Sequence, residues 1–437
     1  MGARMEYRYG RIGGQLVCGA VLPPQAVPAQ PLAADEDCCF LFSGATAARR
    51  ECFAVSDIRQ LAMPKEDYTW LDASSLADVP AALAADAYLA GRIAARRLRA
   101  VDLMHPRWPE LLASPGMPAR RRVHVLALGD VGANLLIGLR LLGGDCIREI
   151  GIYDLDAARC ARWEFELNQI VMPGGSPALP PVRILSAEQL FACDVFVFCA
   201  SAGVPPPGSG EMDVRMAQYA ANRRIIAAYA RAARAARFRG LFAVVSDPVD
   251  LLCQAAWSES NRDETGRFDG EGLFCCQIRG YGLGVMYARA RYYAEQDARF
   301  ATFITEGAVY GPHGADLVVA NSLMDYDDLL SRQLTQQVVK ANLQMRALGF
   351  KPYVAPALSS GALSLLATLR GDWYHGAARL GDIFFGARLR ETAAGPETEL
   401  KPLPPLLLDR LGQAAQALRQ QQGAKLAAKG EGCCDER

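Results

Sequence analysis

The chain has 437 residues, 51% hydrophobic and 22% charged, enough for two or three domains around a large core. Its 47 basic and 47 acidic side chains cancel, so no net field draws it to nucleic acid or anionic lipid. No apolar run reaches the ~18 residues of a membrane span, and MGARMEYRYGRIGG lacks the apolar core of a signal peptide, so a cytoplasmic protein with neither kind of partner is expected.

Residues 1–119 read as an N-terminal accessory region to which no chemistry can be assigned. It holds the Pro-rich loop LPPQAVPAQP, the strand-like run Cys39–Phe42 and an Ala-rich stretch from Ser75 to Leu103. Within that stretch ADAYLAGRIAARRLRAV has strong helix formers with apolar residues at helical spacing, which predicts a helix. MHPRWPELLASPGMPARRR, with four prolines and a basic run, reads as a linker.

From Val123 strands alternate with helices, the pattern of a parallel sheet covered on both faces. VHVLAL is a strand, GDVGANLLIGLRLLG a turn opening into a helix, EIGIYDLD a second strand, and VRIL, DVFVFCA and LFAVVSD follow. DVRMAQYAANRRIIAAYARAARAARF is a covering helix whose arginines face solvent opposite a stripe of Ile225, Ile226 and Tyr229. Past Trp257 the alternation weakens, with helices at Val285–Gln296 and Tyr326–Leu348 and strands near Tyr353 and Ile383–Phe385. The expected domains are thus 120–257, a parallel α/β unit, and 258–423, a lobe of α+β type, with 424–437 a disordered tail.

The thirteen cysteines include the adjacent pairs Cys38-Cys39, Cys275-Cys276 and Cys433-Cys434 but no pair at zinc-ribbon or thioredoxin spacing. Reduced thiols and no metal site are expected.

Ala127-Leu128-Gly129-Asp130-Val131-Gly132 follows a strand and opens a helix, where a glycine turn brings backbone N–H groups to a pyrophosphate. Ala127 stands at the first glycine position of this fingerprint; Ala127, Gly129, Val131 and Gly132 are the candidate cofactor contacts. Asp154 ends the next strand at the spacing of an acid that bonds the adenosine ribose, and a carboxylate there repels a 2′-phosphate, so the cofactor is NAD rather than NADP.

VHVLALGDVGANLL, IGIYDLD, DVFVFCASAGVP, VVSDPVDLL and VYGPHGAD follow in an order that resembles the lactate/malate dehydrogenase family, with GDIFFGARLR and PLLLDRL similar to its ending. The resemblance covers roughly residues 122–421 and implies a Rossmann-type parallel sheet followed by an α+β substrate domain. It also implies hydride transfer between NAD(H) and a small 2-hydroxy or 2-oxo acid in a homodimer or homotetramer. Hydride leaves C2 while a proton leaves its oxygen, so a base near neutral pKa must face the nicotinamide. His313, in Gly311-Pro312-His313-Gly314, matches the family's acid/base; Arg289 matches its carboxylate fork. Arg215, seven residues before Asn222, matches the mobile-loop arginine that polarises the carbonyl, and Ser359 a hydroxyl of the substrate pocket. Gly208, Ser209 and Gly210 bring no basic group for a distal carboxylate, which favours a lactate-like over a malate-like substrate.

Two positions depart from the family. Met286 stands where an aspartate holds the histidine, and Asp247, in Ser246-Asp247-Pro248-Val249-Asp250, replaces an asparagine that bonds the substrate oxygen. A thioether cannot orient an imidazole, and a carboxylate repels a 2-oxo acid unless protonated or paired. Asp247 could be the partner that Met286 cannot be; equally, the pocket takes another substrate, such as one with a cationic group, or none. The alternative to an enzyme is a catalytically decayed NAD-binding protein with a regulatory or structural task.

Overall fold

The structure, a computed structural model, describes residues 7–43, 49–62, 66–113, 118–175, 178–202, 214–350 and 355–430, with the backbone alone at 214–217 and 423–430. Residues 7–113 build a six-stranded sheet from β1 (Arg8–Ile12), β2 (Gln15–Gly19), β3 (Val27–Pro28), β4 (Cys38–Phe42), β5 (Cys52–Ala54) and β6 (Leu98–Asp102), in the order β3-β1-β2-β4-β6-β5. Strands β1 and β2 pair through a two-residue turn at Gly13 and Gly14, whose φ values of +56° and +86° suit a hairpin turn that other residues adopt only with strain. The Ala-rich stretch is helical over Ala81–Ala84 and Ala87–Ala94; Arg96 turns the chain at φ +57° and Leu98–Asp102 becomes β6, paired with β4. Its Leu98, Ala100 and Val101 fill core sites on both faces, and that burial overrides the helical propensity.

A nine-stranded sheet follows, made of β7 (Arg121–Leu126), β8 (Ile147–Tyr153), β9 (Val182–Ile184), β10 (Val195–Phe198), β11 (Leu241–Val244), β12 (Ile278–Gly280), β15 (Tyr374–Leu380), β16 (Ile383–Thr392) and β17 (Gly395–Thr398). A two-stranded ladder of β13 (Ala308–Tyr310) and β14 (Val318–Ala320) lies beside it. The order is β17-β16-β15-β12-β11-β10-β7-β8-β9; β9 to β12 are parallel and β15 to β17 antiparallel. This is the expected α/β architecture. Strands β10 and β11 are buried throughout because helices cover both faces, so their sequences VFVF and LFAV are unbroken apolar runs rather than alternating ones. The chain runs outward from β7 to β9 and then returns to β10, which puts a crevice between β7 and β10 at their carboxyl ends.

The covering helix is Val214–Ala235, and its arginines are not simply solvated. Arg223 and Arg231 both bond the buried Glu259 at 2.6 Å, and Arg234 clasps Asp269 with two 2.7 Å bonds. They fasten this helix to Val249–Ser260 and the loop after it. The helices expected at Val285–Gln296 and Tyr326–Leu348 run Leu283–Gln296 and Asp328–Ala347, and the strand expected at Ile383–Phe385 extends to Thr392. The piece near Tyr353 lies outside the described residues. The final helix, Pro405–Gly430, passes residue 424, where disorder was expected to begin; Cys433-Cys434 lie outside the described residues.

The expected linker is part of an interface. Trp108–Ala113 is a helix, and the buried Arg107 donates to Gly272 O at 2.7 Å and Gly270 O at 3.3 Å with its guanidinium 4.3 Å from the Phe274 ring centroid. Glu51 Oε2 accepts the Cys275 N–H at 3.0 Å and the Cys275 thiol at 2.5 Å, and Asp72 accepts Leu403 N–H at 2.9 Å. Leu16, Phe40 and Trp70 share one apolar cluster with Val123, Phe196 and Phe384, and β5 lies beside β17. The N-terminal region is therefore packed into the rest of the molecule. Glu51→Ala strands the buried Cys275 N–H and should lower unfolding free energy by about 2 kcal/mol in chemical denaturation. Deleting residues 1–119 should leave an insoluble chain, because it uncovers part of that common cluster.

Candidate active site at the carboxyl ends of the parallel strands

The ladder continues one residue beyond the strands: Ala127 N–H bonds Tyr153 O at 2.8 Å, Cys199 N–H bonds Leu126 O at 3.1 Å, and Val245 N–H bonds Phe198 O at 3.0 Å. These bonds fix where each loop leaves the sheet. Ala127 then adopts φ +70°, a left-handed conformation that costs an L-residue about 1–2 kcal/mol. The cause is downstream, where helix Asp130–Leu142 crosses so close that a Cβ at Gly132 would overlap the Ala127 carbonyl oxygen. At Gly129, by contrast, a Cβ would meet nothing within 4 Å, and this N-cap residue has no side chain to cap the helix's first turn. Open space at a glycine before a helix N-terminus fits a dinucleotide's pyrophosphate. Val131 sits half-buried in that first turn.

Asp154 follows β8 and accepts N–H bonds from Leu128 at 2.7 Å and Asp156 at 3.0 Å, with Arg159 3.2 Å away. Burial alone pushes its pKa up, but the two N–H bonds and Arg159 outweigh it and hold the carboxyl below its usual range. Asp154 thus ties the cofactor turn to the end of the neighbouring strand, the position of a ribose-binding acid.

On the other side of the crevice Asn222 is fully buried. Its Oδ1 accepts Ala202 N–H at 2.8 Å and its Nδ2 donates to Asp247 O at 2.7 Å, joining the ends of β10 and β11. Ser246 Oγ adds a bond to Ala200 O at 2.7 Å. Asp247 is thereby held with its Oδ1 3.4 Å from His313 Nε2, yet that buried oxygen accepts no hydrogen bond. The carboxylate is an electrostatic neighbour of the imidazole and does not orient it by a hydrogen bond. What secures His313 is Asp250, 4% exposed in the first turn of Val249–Ser260, whose Oδ2 accepts the His313 backbone N–H at 2.8 Å.

Gly282 caps helix Leu283–Gln296 against His313; a Cβ there would stand 2.8 Å from the imidazole Cγ. Ser359 donates to Gly284 O at 3.2 Å, so the predicted hydroxyl residue is anchored on the same turn of this helix. Arg289 lies on that helix, with Nη1 3.7 Å from the sulfur of Met286, which is buried in a separate apolar cluster. Arg215 is placed as backbone in the first turn of Val214–Ala235, and its side chain is outside the described residues. Fold and contacts thus bring Asp247, His313, Gly282 and Ser359 around one helix N-terminus. Sequence alone gave no role to Asp250 and used Asn222 only as a marker. The signal for Asp250 was an acid in a helix's first turn, a position more often occupied for the helix dipole than for a remote loop.

The architecture of residues from β7 onward is that of the lactate/malate dehydrogenases. The minor L-lactate dehydrogenase of Enterococcus mundtii superposes with a TM-score of 0.56 at 18% identity, over 69% of this chain and 98% of that one. Malate dehydrogenase from Archaeoglobus fulgidus, in complex with NADH, gives 0.52 at 18% identity over 68% and 97%. In sequence, L-lactate dehydrogenase 1 of Lactobacillus johnsonii is 26% identical over 144 residues, 32% of this chain and 42% of the relative. L-lactate dehydrogenase of Shouchella clausii is 27% identical over 206 residues, 47% and 57%. The chain spans about half the length of the curated relatives it matches. No family model matches. The chain is a divergent relative of the lactate/malate dehydrogenase family.

Two outcomes check the turn. Ala127→Gly removes the left-handed penalty and should raise stability by about 1 kcal/mol in thermal denaturation. Asp154 has a lowered folded-state pKa, so its contribution is complete above the unfolded value of ~3.9 and fades as pH falls through the folded one. Asp154→Asn should therefore flatten the acid limb of the stability-against-pH curve below about pH 4.

Proposed function

We propose that this protein is an NAD(H)-dependent oxidoreductase of small 2-hydroxy or 2-oxo acids, lactate-like rather than malate-like. The observation that carries it is His313, a half-buried imidazole whose backbone N–H is held by Asp250 at the carboxyl-end crevice, across the switch point from the glycine turn. When bound, the dinucleotide supplies a hydride acceptor or donor. The chain's own groups do the rest. The N–H groups behind Gly129 take the pyrophosphate, and Asp154 takes the ribose hydroxyls. His313 Nε2 takes or returns the proton on the substrate heteroatom. Arg289 is assigned the carboxylate, Arg215 the polarised carbonyl and Ser359 the pocket wall.

The described cysteines are all free thiols, which suits the reducing cytoplasm in which we place the protein. No helix among the described residues is long and apolar enough to cross a membrane. We further assign a homodimer or homotetramer as the working assembly. Exposed apolar side chains on segments that each pack against helix Asp130–Leu142, Phe165, Leu358 and Leu363 at 71%, 37% and 49%, support self-association.

Met286 favours a second reading, binding without turnover, since its sulfur faces Arg289 and gives His313 no carboxylate from that helix. NADH oxidation across a panel of 2-oxo acids separates the two. His313→Ala should lower turnover by at least about 100-fold while NADH affinity, followed by nucleotide fluorescence, stays within a factor of about three. Wild-type chain that binds NADH tightly and turns over no substrate would establish the second reading.

A further inference from the structure

If the crevice transfers a hydride at C2, the heteroatom on C2 must lie against His313, and Asp247 stands there too. Its buried Oδ1 is 3.4 Å from His313 Nε2 and accepts no hydrogen bond, while the side chain as a whole is 41% exposed, so its remaining atoms face the open crevice. A second carboxylate, the buried Asp250, stands behind the same histidine. An ionised carboxylate can only accept hydrogen bonds. A carbonyl oxygen has no hydrogen to offer, and it gains negative charge as hydride arrives, so Asp247 opposes that transition state. A nitrogen on C2 differs: the oxidised form is an iminium, cationic rather than neutral, and it still carries hydrogens to donate.

We propose that the substrates of this site include small 2-amino acids and their 2-imino acids, and that Asp247 selects nitrogen over oxygen on C2. The inference rests on the NAD(H)-dependent reading above. In the oxidative direction the substrate ammonium first gives one proton to His313 Nε2. The C2–H bond then breaks and its hydrogen leaves with both electrons as hydride to the oxidised nicotinamide dinucleotide, while the nitrogen lone pair closes the C=N bond. The product is an iminium cation beside the Asp247 carboxylate, with the proton on His313. Water adds to the iminium after release and yields a 2-oxo acid and ammonium. In reverse, a 2-oxo acid and ammonium condense to the iminium with loss of water, and the iminium takes hydride from the reduced cofactor to give the amine, which takes a proton from His313.

The test measures NADH oxidation by the full chain with pyruvate and a short 2-oxo acid panel, with and without ammonium or methylamine. A second readout is calorimetric titration of L-alanine and of L-lactate into chain saturated with cofactor. Turnover should depend on the amine, and L-alanine should bind more tightly than L-lactate. Asp247→Asn, near-isosteric but able to donate, should lower amine-dependent turnover about 100-fold, raise amine-independent reduction of the 2-oxo acid and reverse the binding order. Asp247→Glu, which keeps the charge, should retain the amine preference. Equal turnover with and without amine, or Asp247→Asn leaving both ratios unchanged, overturns the assignment and leaves the dehydrogenase reading standing. Bound NADH with no turnover on any acid, with or without amine, removes both.

Discussion

The hydrogen bond from the His313 backbone N–H to Asp250 fastens the loop between β13 and β14 to the first turn of helix Val249–Ser260. Asp250 belongs to the first turn of a helix that is sealed under the parallel sheet by Leu251, Leu252 and Cys253, so it cannot shift without disturbing the core. His313 belongs to the short loop between β13 and β14. A rigid acceptor on one side thus positions a loop donor on the other, and Gly282 leaves the imidazole room against helix Leu283–Gln296. Asn222 does the same for Asp247, with one buried amide reaching two strand ends. Neither residue need touch a substrate for the site to rely on both.

The fold from β7 onward was legible in the sequence because burial on both faces writes unbroken apolar runs, and a strand ending in glycines before a helix has few structural meanings. Ala127 illustrates the limit: the letter departs from the glycine pattern, but the backbone keeps the glycine conformation. The local signals failed where distant contacts decided the outcome. RRLRAV has helical character and becomes strand β6 because β4 and β5 flank it. The arginines of Val214–Ala235 read as a solvated face because their acceptors, Glu259 and Asp269, lie 28 to 36 residues away in the chain.

The candidate site was read from matching residues, and the departures proved as informative as the matches. Loss of a carboxylate at Met286 and gain of one at Asp247 appeared paired in the sequence. In space they are not an exchange: Met286 turns its sulfur to Arg289, whereas Asp247 approaches His313 Nε2 without accepting a hydrogen bond. Asp247 adds a carboxylate beside the imidazole, while Asp250 bonds the same residue's backbone. Sequence spacing records which residue types are present, but not which face of the imidazole they meet.

The docking of the N-terminal region also sets an order of assembly. Glu51 waits for Cys275, 224 residues later, and Asp72 for Leu403, 331 residues later. Residues 7–113 are therefore made long before the partners that complete their core. Contacts this distant in sequence are the ones that slow folding and leave apolar surface exposed meanwhile. The N-terminal sheet relies on being shielded until the strands β15 to β17 and helix Pro405–Gly430 have been made.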